Sequence, residues 1–487
     1  MDVVLWNAGP MVNAHTIYRT LGAYKIAAAS RNAGYTAQVI DFVNQISEEQ
    51  LYQCSKKFIS QDTKILGISS TFLMAGIHEL PSQVLATLNR LIDEFPNLEI
   101  VIGGYQARDA TLTNAVKKRF SVILEYGEDI FVELLDYFKG KGKHPPFTLI
   151  SKRWGDYKVF KTPLNPKFNI ETDSHLFTKE DCIIPNETLP IEISRGCIFK
   201  CKFCNHLMLG RGKLDYLRSM ECIKNELIHN YENWKITNYY IICDTFNDTE
   251  YKMREWHKMV TSLPFKISYT AYLRADLLEK FPDVPYLLAE SGLFTAFHGI
   301  ESLNPQASLS VGKGWSGKRA KDFVPHLYHN IWKKEIHQTL SFIIGLPGDT
   351  RETILDQLTW FEDNDLHHMA IHPLGIKNNA LNKHLSEFDR NAEQYGYTFP
   401  WKDEPWRWKT DYWDHDEAID FISKVVRPRV DKSNAKFGSW QTMQLLQFGI
   451  DRKLFEKRAS HGAVNTQHVI DCTNKFLQDY VNQLLAL

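Results

Sequence analysis

The sequence predicts an α/β protein in three parts: a doubly wound, Rossmann-like domain over residues 1–140, a partial (β/α)6 barrel over 187–375, and a helical C-terminal region over 376–487, with 141–186 as a linker. Three observations predict this. Short apolar runs alternate with amphipathic helical stretches through the first third of the chain. The same alternation resumes near residue 187 and continues to about 375, and beyond that it stops. Strands alternating with helices imply parallel sheets with right-handed crossovers.

In the first third, Val3–Trp6, Thr36–Asp41, Lys64–Ser69, Leu98–Gly103 and Val122–Glu125 read as strands. His15–Ala33, Ser47–Ile59, His78–Phe95 and Glu128–Phe138 read as helices. Domains of this kind bind ligands beyond the strand carboxyl ends, at a topological switch. The stretch 141–186 is rich in Pro, Lys and Asp, includes Trp154-Gly155-Asp156-Tyr157, and reads as a connector.

In the second part the strands are Asn238–Asp244, Ile267–Leu273, Phe294–Ile300, Gln338–Gly345 and His367–Leu374, preceded by Ile191–Ser194. The helices are Tyr216–Tyr231, Thr249–Thr261, Val284–Glu290 and Arg319–Lys334. Asp349, with Glu352 three residues on, reads as the N-cap of a helix over Thr350–Asn364. In such barrels the loops at the strand carboxyl ends carry the chemistry. The C-terminal region reads as helical at Asp416–Val426 and Thr466–Leu485 and as a cap rich in tryptophan: Trp401, Trp406, Trp408, Trp413 and Trp440 form either an aromatic core or a wall of the substrate cavity. Alternation puts His368 and His372 on one side of the last strand and His367 on the other; each is a structural histidine or an acid–base group.

Composition narrows the class. The chain has 487 residues, 44% hydrophobic and 24% charged, which excludes a disordered or collagen-like protein. No run of about 18 apolar residues suggests a membrane span. Met1–Trp6 lacks the basic start of a secretory signal, so a cytoplasmic location is expected. A net charge of −1 leaves no basic footprint for long nucleic acids, and the basic group Arg427, Arg429, Lys432 and Lys436 reads as solvated surface.

Eight cysteines in a chain of this length are not a disulfide framework. Cys54, Cys182, Cys222, Cys243 and Cys472 are scattered and read as small buried residues. Cys197, Cys201 and Cys204 have the spacing C-x3-C-x2-C, in a loop that opens with Gly196 after a strand-like run. Three thiolates can hold an iron–sulfur cluster and leave one of its irons open. The alternative is a zinc knuckle with His206 as fourth ligand, but His206 lies only two residues past Cys204 and no second ligand pair follows.

The loop, with Phe203 before its third cysteine, resembles the signature of radical S-adenosylmethionine (SAM) enzymes. Asp244-Thr245-Phe246, Tyr272-Leu273-Arg274-Ala275-Asp276, His298-Gly299-Ile300-Glu301-Ser302 with Lys313-Gly314, and Ile343-Ile344-Gly345-Leu346-Pro347-Gly348-Asp349-Thr350 resemble, in order, segments of the cobalamin-linked branch of that family. The resemblance implies a [4Fe–4S] cluster on Cys197, Cys201 and Cys204 whose open iron takes the amino and carboxylate groups of SAM. It implies that Phe203, Ile343 and Gly345 flank the adenine. Glu301, Arg274 and Tyr272 become candidates for contact with SAM or substrate.

The first third resembles the cobalamin-binding domain that precedes many such cores. Ser69, Ser70 and Thr71, the pair Gly103-Gly104, and Tyr126-Gly127-Glu128-Asp129 stand where that domain has its cobalamin-binding segments. The Asp-x-His-x-x-Gly motif that supplies a lower cobalt ligand is missing, and Asn7-Ala8-Gly9-Pro10 does not replace it; His15, nearby, reads as a helix-start residue. The function implied is cobalamin-dependent methylation of an unactivated carbon on a small-molecule or peptide substrate, with a flavodoxin- or ferredoxin-type electron donor. The alternatives are a radical rearrangement, cyclisation or oxidation without methyl transfer, tRNA methylthiolation, and a cobalamin- or SAM-binding module without turnover. Methylthiolation would call for three further N-terminal cysteines, and only Cys54 lies in the first 180 residues.

Overall fold

The computed structural model describes residues 1–9, 17–73, 80–104, 107, 116, 120–124, 126–152, 155–161, 170–171, 175–205, 216–376, 386–401, 404–433, 438–450 and 466–487. His15, Trp154, His206 and Lys436 lie outside these residues, as do the side chains of Lys432 and Trp440. The chain divides into two units, one of Met1–Pro190, His229–Ile236 and Thr466–Leu487, the other of Ile191–Ile228 and Thr237–Asn465. Among the described residues, no helix is long and apolar enough to cross a membrane.

The first unit is built on a seven-stranded sheet. Its strands are β1 (Val3–Trp6), β2 (Ala37–Ile40), β3 (Ile65–Ser69), β4 (Glu99–Gly103), β5 (Phe120–Leu124), β6 (Thr148–Lys152) and β7 (Gly155–Lys161), in the order β2-β1-β3-β4-β5-β7-β6. The pairs from β2 through to β7 are parallel and β6 is antiparallel to β7. Val3–Trp6 and Ala37–Ile40 are buried at every position, as strands covered on both faces must be. The order reverses between β1 and β3, so the loops after these strands flank the switch point.

The expected linker, 141–186, instead supplies the hairpin β6–β7 that ends this sheet. Its lysines, prolines and aspartates gave it a connector-like composition. The first helix spans Leu21–Asn32 rather than starting at His15, with Thr20 as an extended N-cap. The helix Ser82–Glu94 starts later than His78, directly after Pro81. Glu48–Phe58 begins with a capping box between Ser47 and Gln50, and Glu128–Phe138 has the bounds expected.

The last helix, Thr466–Ala486, belongs to the first unit and not to a C-terminal cap. The Asp41 backbone N–H, at the end of β2, donates to the Tyr480 hydroxyl at 2.7 Å. The rings of Phe42 and Tyr480 meet edge to face at 5.2 Å. Beside both lies Arg19, buried, its guanidinium 5.2 Å from each ring centroid. Arg19 donates to Glu187 at 2.8 Å, to the Tyr24 hydroxyl at 2.6 Å and to the Cys182 carbonyl at 2.8 Å. A guanidinium is tolerated there because each face and edge is occupied.

The second sheet holds β8 (Thr188–Glu192), whose Ile191 opens the second unit, then β9 (Asn238–Ile242), β10 (Ser268–Leu273), β11 (Leu293–Glu301), β12 (His337–Ile344) and β13 (His368–Pro373), ordered β13-β12-β11-β10-β9-β8. The pairs from β9 to β13 are parallel. One face packs on the crossover helices through a core that includes Ile300, Leu340, Phe342 and Ile344. The other presents Thr270 and Tyr272, Thr295 and Phe297, Thr339, Ser341 and Ile343, and His368 and His372, at even spacings along each strand. Helix Ser439–Gln447 packs against β9 to β12. Gly438, its N-cap, faces His368 and Thr339, which puts this helix on the inner face, low in the barrel. Thr270, Thr295 and Thr339 are buried there, whereas Tyr272, Phe297 and His372, towards the carboxyl ends, stay partly exposed. The C-terminal region thus fills the barrel floor instead of forming a separate cap.

Asp349 is not an N-cap. Thr350 caps the helix Arg351–Asp363, in a capping box with Thr353. The Asp349 carboxylate turns inward and accepts from the Leu346 N–H at 3.2 Å and the Ser302 hydroxyl at 3.3 Å.

Two outcomes follow. Tyr480→Phe leaves the buried Asp41 N–H without its acceptor, so the first unit should lose about 1–3 kcal/mol, seen as a lower urea midpoint. Burial pushes the Asp349 carboxyl up to about 8 from an ordinary 3.8. The folded protein therefore holds this proton more tightly than the unfolded chain, and the stability gained is complete below the ordinary value and lost as pH rises through about 8. Asp349→Asn should flatten the fall in melting temperature between about pH 4 and 8; an unchanged slope would assign that fall to other groups.

Candidate active site at the barrel mouth

The cysteine loop leaves the carboxyl end of β8. Cys197 is buried, and its Sγ lies 3.4 Å from the Thr245 hydroxyl in the loop after β9. Cys201 and Cys204 are half-buried, and the Cys204 N–H donates to the Cys201 carbonyl at 3.0 Å, closing a turn between them. Two backbone bonds fasten the loop: Lys202 N–H to the Val311 carbonyl and Phe388 N–H to the Lys202 carbonyl, both at 3.0 Å. Arg195, just before Gly196, is held by Glu192 at 2.9 Å. None of the three is in a disulfide, and burial raises the Cys197 thiol above its ordinary pKa.

Among the described residues, no three of His, Cys, Asp and Glu converge on a single ion. A cubane asks for something else, one thiolate to each of three irons. Cys197, Cys201 and Cys204, none of them in a disulfide, lie on one fastened loop and fit that donor set.

Across the mouth, β11 ends in an irregular register between Gly299 and Glu301. Glu301 has φ of 70°, left-handed for a residue with a side chain. Its carboxylate folds back so far that a Cβ on Gly299 would lie 2.5 Å from it. Lys313 donates to Glu301 Oε1 and to the Gly299 carbonyl, each at 2.6 Å, and its Nζ is 6.0 Å from the centroid of Phe203. Three sequence-predicted features, Phe203, Glu301 and the Lys-Gly pair, are thereby brought together.

Arg274 is placed differently from expectation. Its guanidinium lies 4.0 Å from the centroid of Phe199, forks onto Asp276 at 3.0 and 2.7 Å, and donates to the Lys313 carbonyl at 3.3 Å and to Cys201 Sγ at 3.6 Å. It serves the loop and is not free for a ligand. Neither Phe199 nor Thr245 drew notice as a site residue, since nothing local marks a side chain whose partner lies dozens of positions away. Tyr272 is 37% exposed and meets Phe297 edge to face at 5.0 Å. His372, in register with Ile343, lies within electrostatic reach of Glu301 and Arg427. His367 stacks on His337 at 4.6 Å at the opposite end of the strands, and burial holds it down to about 4.

Ile343 is half-buried, and Gly345 lies directly on the Trp408 ring. The Tyr397 hydroxyl donates to the Gly345 carbonyl at 2.7 Å, and the indole N–H groups of Trp408 and Trp413 donate to the Leu374 and Asp349 carbonyls at 2.7 and 3.1 Å. Both indoles are buried, so these two tryptophans brace the turn as an aromatic core and do not wall a cavity.

In the first unit, the Ser70 N–H and hydroxyl both donate to the Gly103 carbonyl at 2.8 Å. Gly104 has φ of 97°, and a Cβ there would lie 2.6 Å from the Thr71 hydroxyl oxygen. Ser69, Ser70, Thr71, Gly103 and Gly104 therefore form one cradle of backbone and hydroxyls at the ends of β3 and β4, beside the switch point. Such a cradle suits a large group that must approach main chain closely.

Residues 191–361 match the radical SAM superfamily. A protein of Pyrococcus horikoshii named uncharacterized methyltransferase PH0819 is 26% identical over 330 residues, spanning 65% of this chain and 68% of its own length. The radical SAM methyltransferase TsrM from Kitasatospora setae, solved with cobalamin and a [4Fe–4S] cluster bound, aligns with a TM-score of 0.57 at 14% identity over 82% of this chain and 76% of that one. The cobalamin-dependent SAM radical enzyme OxsB, solved with aqua-cobalamin, aligns with a TM-score of 0.56 at 16% identity over 81% of this chain and 56% of that one. The chain carries a radical SAM domain across residues 191–361, and it shares its fold with cobalamin-dependent radical SAM enzymes.

Proposed function

We propose that this chain is a radical SAM enzyme that holds a [4Fe–4S] cluster on Cys197, Cys201 and Cys204 and methylates an unactivated carbon with the help of cobalamin. The observation that carries the reading is the group of three cysteines outside any disulfide on one loop, whose Phe203 lies 6.0 Å from the Lys313 ammonium that holds Glu301, inside the region that matches the superfamily. When bound, cluster and SAM supply a 5′-deoxyadenosyl radical, and cobalamin supplies a methyl carrier.

The chain's own residues would do the rest. Phe203, with the backbone of Ile343 and Gly345, would flank the adenine. Glu301, with Lys313 fixing its carboxylate, would accept from polar groups of SAM. Tyr272, Phe297 and His372 would line the substrate space above the floor helix, where partly exposed side chains share the inner face. Ser69, Ser70, Thr71, Gly103 and Gly104 would cradle cobalamin. Methyl transfer is supported by the names of the similar proteins PH0819 and TsrM, and cobalamin by the contents of the TsrM and OxsB structures. The substrate would be a small molecule or a peptide, and the electron donor a flavodoxin or ferredoxin.

The test is anaerobic reconstitution with iron and sulfide, with and without cobalamin. The protein should take up about four irons per chain, show a corrin absorbance after desalting, and convert SAM under reducing conditions to 5′-deoxyadenosine, with S-adenosylhomocysteine once a methyl acceptor is supplied. Cys201→Ala should abolish SAM cleavage. Deoxyadenosine without S-adenosylhomocysteine would favour the radical rearrangement, cyclisation or oxidation reading, and a reconstituted protein without iron would overturn the function altogether.

A further inference from the structure

We propose that Arg274 and Asp276 form an electrostatic pair that sets how readily the cluster is reduced, with Arg274 acting through Cys201 as a positioning residue and not through SAM. The proposal rests on the reading above that the three thiolates hold a cubane.

Every polar edge of the Arg274 guanidinium is committed. Nε and Nη2 fork onto the two oxygens of Asp276 at 3.0 and 2.7 Å, and Nη2 also reaches the Lys313 carbonyl at 3.3 Å. Nη1 is directed at Cys201 Sγ, 3.6 Å away, a normal length for a donor to sulfur. The plane lies over Phe199, itself part of the cysteine loop, at 4.0 Å. The backbone beneath is fixed as well: Asn247 accepts from the Arg274 N–H at 2.8 Å and donates to the Arg274 carbonyl at 2.9 Å. Arg274 is only 7% exposed, so its charge is poorly screened at the sulfur.

The sign of the effect follows. Reducing the cluster adds negative charge to the irons and their thiolates. A donor and a permanent positive charge at one thiolate favour that state, and hydrogen bonds to sulfur are among the determinants of cluster potential. Asp276 opposes this from the far side of the guanidinium. Removing Arg274 should make the cluster harder to reduce, and neutralising Asp276 should make it easier. A purely structural role for the pair would not produce shifts of opposite sign.

The experiment uses the full chain, reconstituted anaerobically, as wild type, Arg274→Gln and Asp276→Asn. Iron and sulfide content are measured first, then the reduced fraction by electron paramagnetic resonance across a potentiometric titration. At the poise that half-reduces the wild type, the ratio of reduced to oxidised cluster should fall about threefold or more in Arg274→Gln and rise in Asp276→Asn. If Arg274→Gln loses its cluster, Asp276→Asn and Arg274→Lys decide: the lysine, keeping charge but not the fork, should titrate nearer to wild type than to a neutral residue. Loaded variants that titrate like the wild type, shifts of the same sign, or loss of the cluster from all three variants would overturn the proposal. A wild type that takes up no cubane would instead overturn the proposed function.

Discussion

The mouth of the barrel depends on one backbone distortion, the left-handed turn at Glu301. A non-glycine residue there costs about 1–3 kcal/mol, and the chain holds it because the folded-back carboxylate meets Lys313 at 2.6 Å. Gly299 makes room for that carboxylate, and its own carbonyl takes a second bond from Lys313. The Lys313 carbonyl accepts from Arg274, and Arg274 reaches Cys201. A series of short contacts thus joins the end of β11, by way of the Lys-Gly segment and the end of β10, to the cysteine loop after β8. Three strand ends are locked by charge and hydrogen bonds where an open barrel has no side chains to fill its rim.

The inner face of the barrel is graded. At the amino end, Thr270 and Thr295 share a hydroxyl hydrogen bond of 2.5 Å and are buried with Thr339. Helix Ser439–Gln447 covers this level, contributing the buried Thr442 and Met443. Toward the carboxyl end the lining turns aromatic and aliphatic, with Tyr272, Phe297 and Ile343, and His372 adds an imidazole. A six-stranded sheet would leave its concave side wet. Here a segment far along the chain supplies the missing apolar volume, so the usable space is confined to the end where the thiols lie.

How much of this was legible depended on whether the deciding interaction was local. Glu128–Phe138 and Val284–Glu290 have the bounds read from sequence, since composition, caps and proline act within a few residues. The cysteine loop was legible because three cysteines fall within eight positions, and Glu301 because its segment is short and distinctive. What could not be read was decided at long range. Arg19, just before the first helix, pairs with Glu187, which lies 168 residues away. Asp349, by local pattern an N-cap, turns inward to Ser302. The hairpin β6–β7 was hidden by a composition rich in Pro, Lys and Asp. Arg274 looked available because no pattern within its own segment shows that Cys201 and Phe199 will lie beside it.

Because Thr466–Leu487 completes a unit that begins at Met1, the barrel residues are topologically an insertion within the first unit. On the ribosome, β2 emerges hundreds of residues before the Tyr480 hydroxyl that will accept from its end. The first unit must therefore wait, with the apolar surface around Phe42 uncovered, until Thr466–Leu487 has been made. A nonsense codon or a proteolytic nick late in the chain would strike the oldest part of the fold and not the newest.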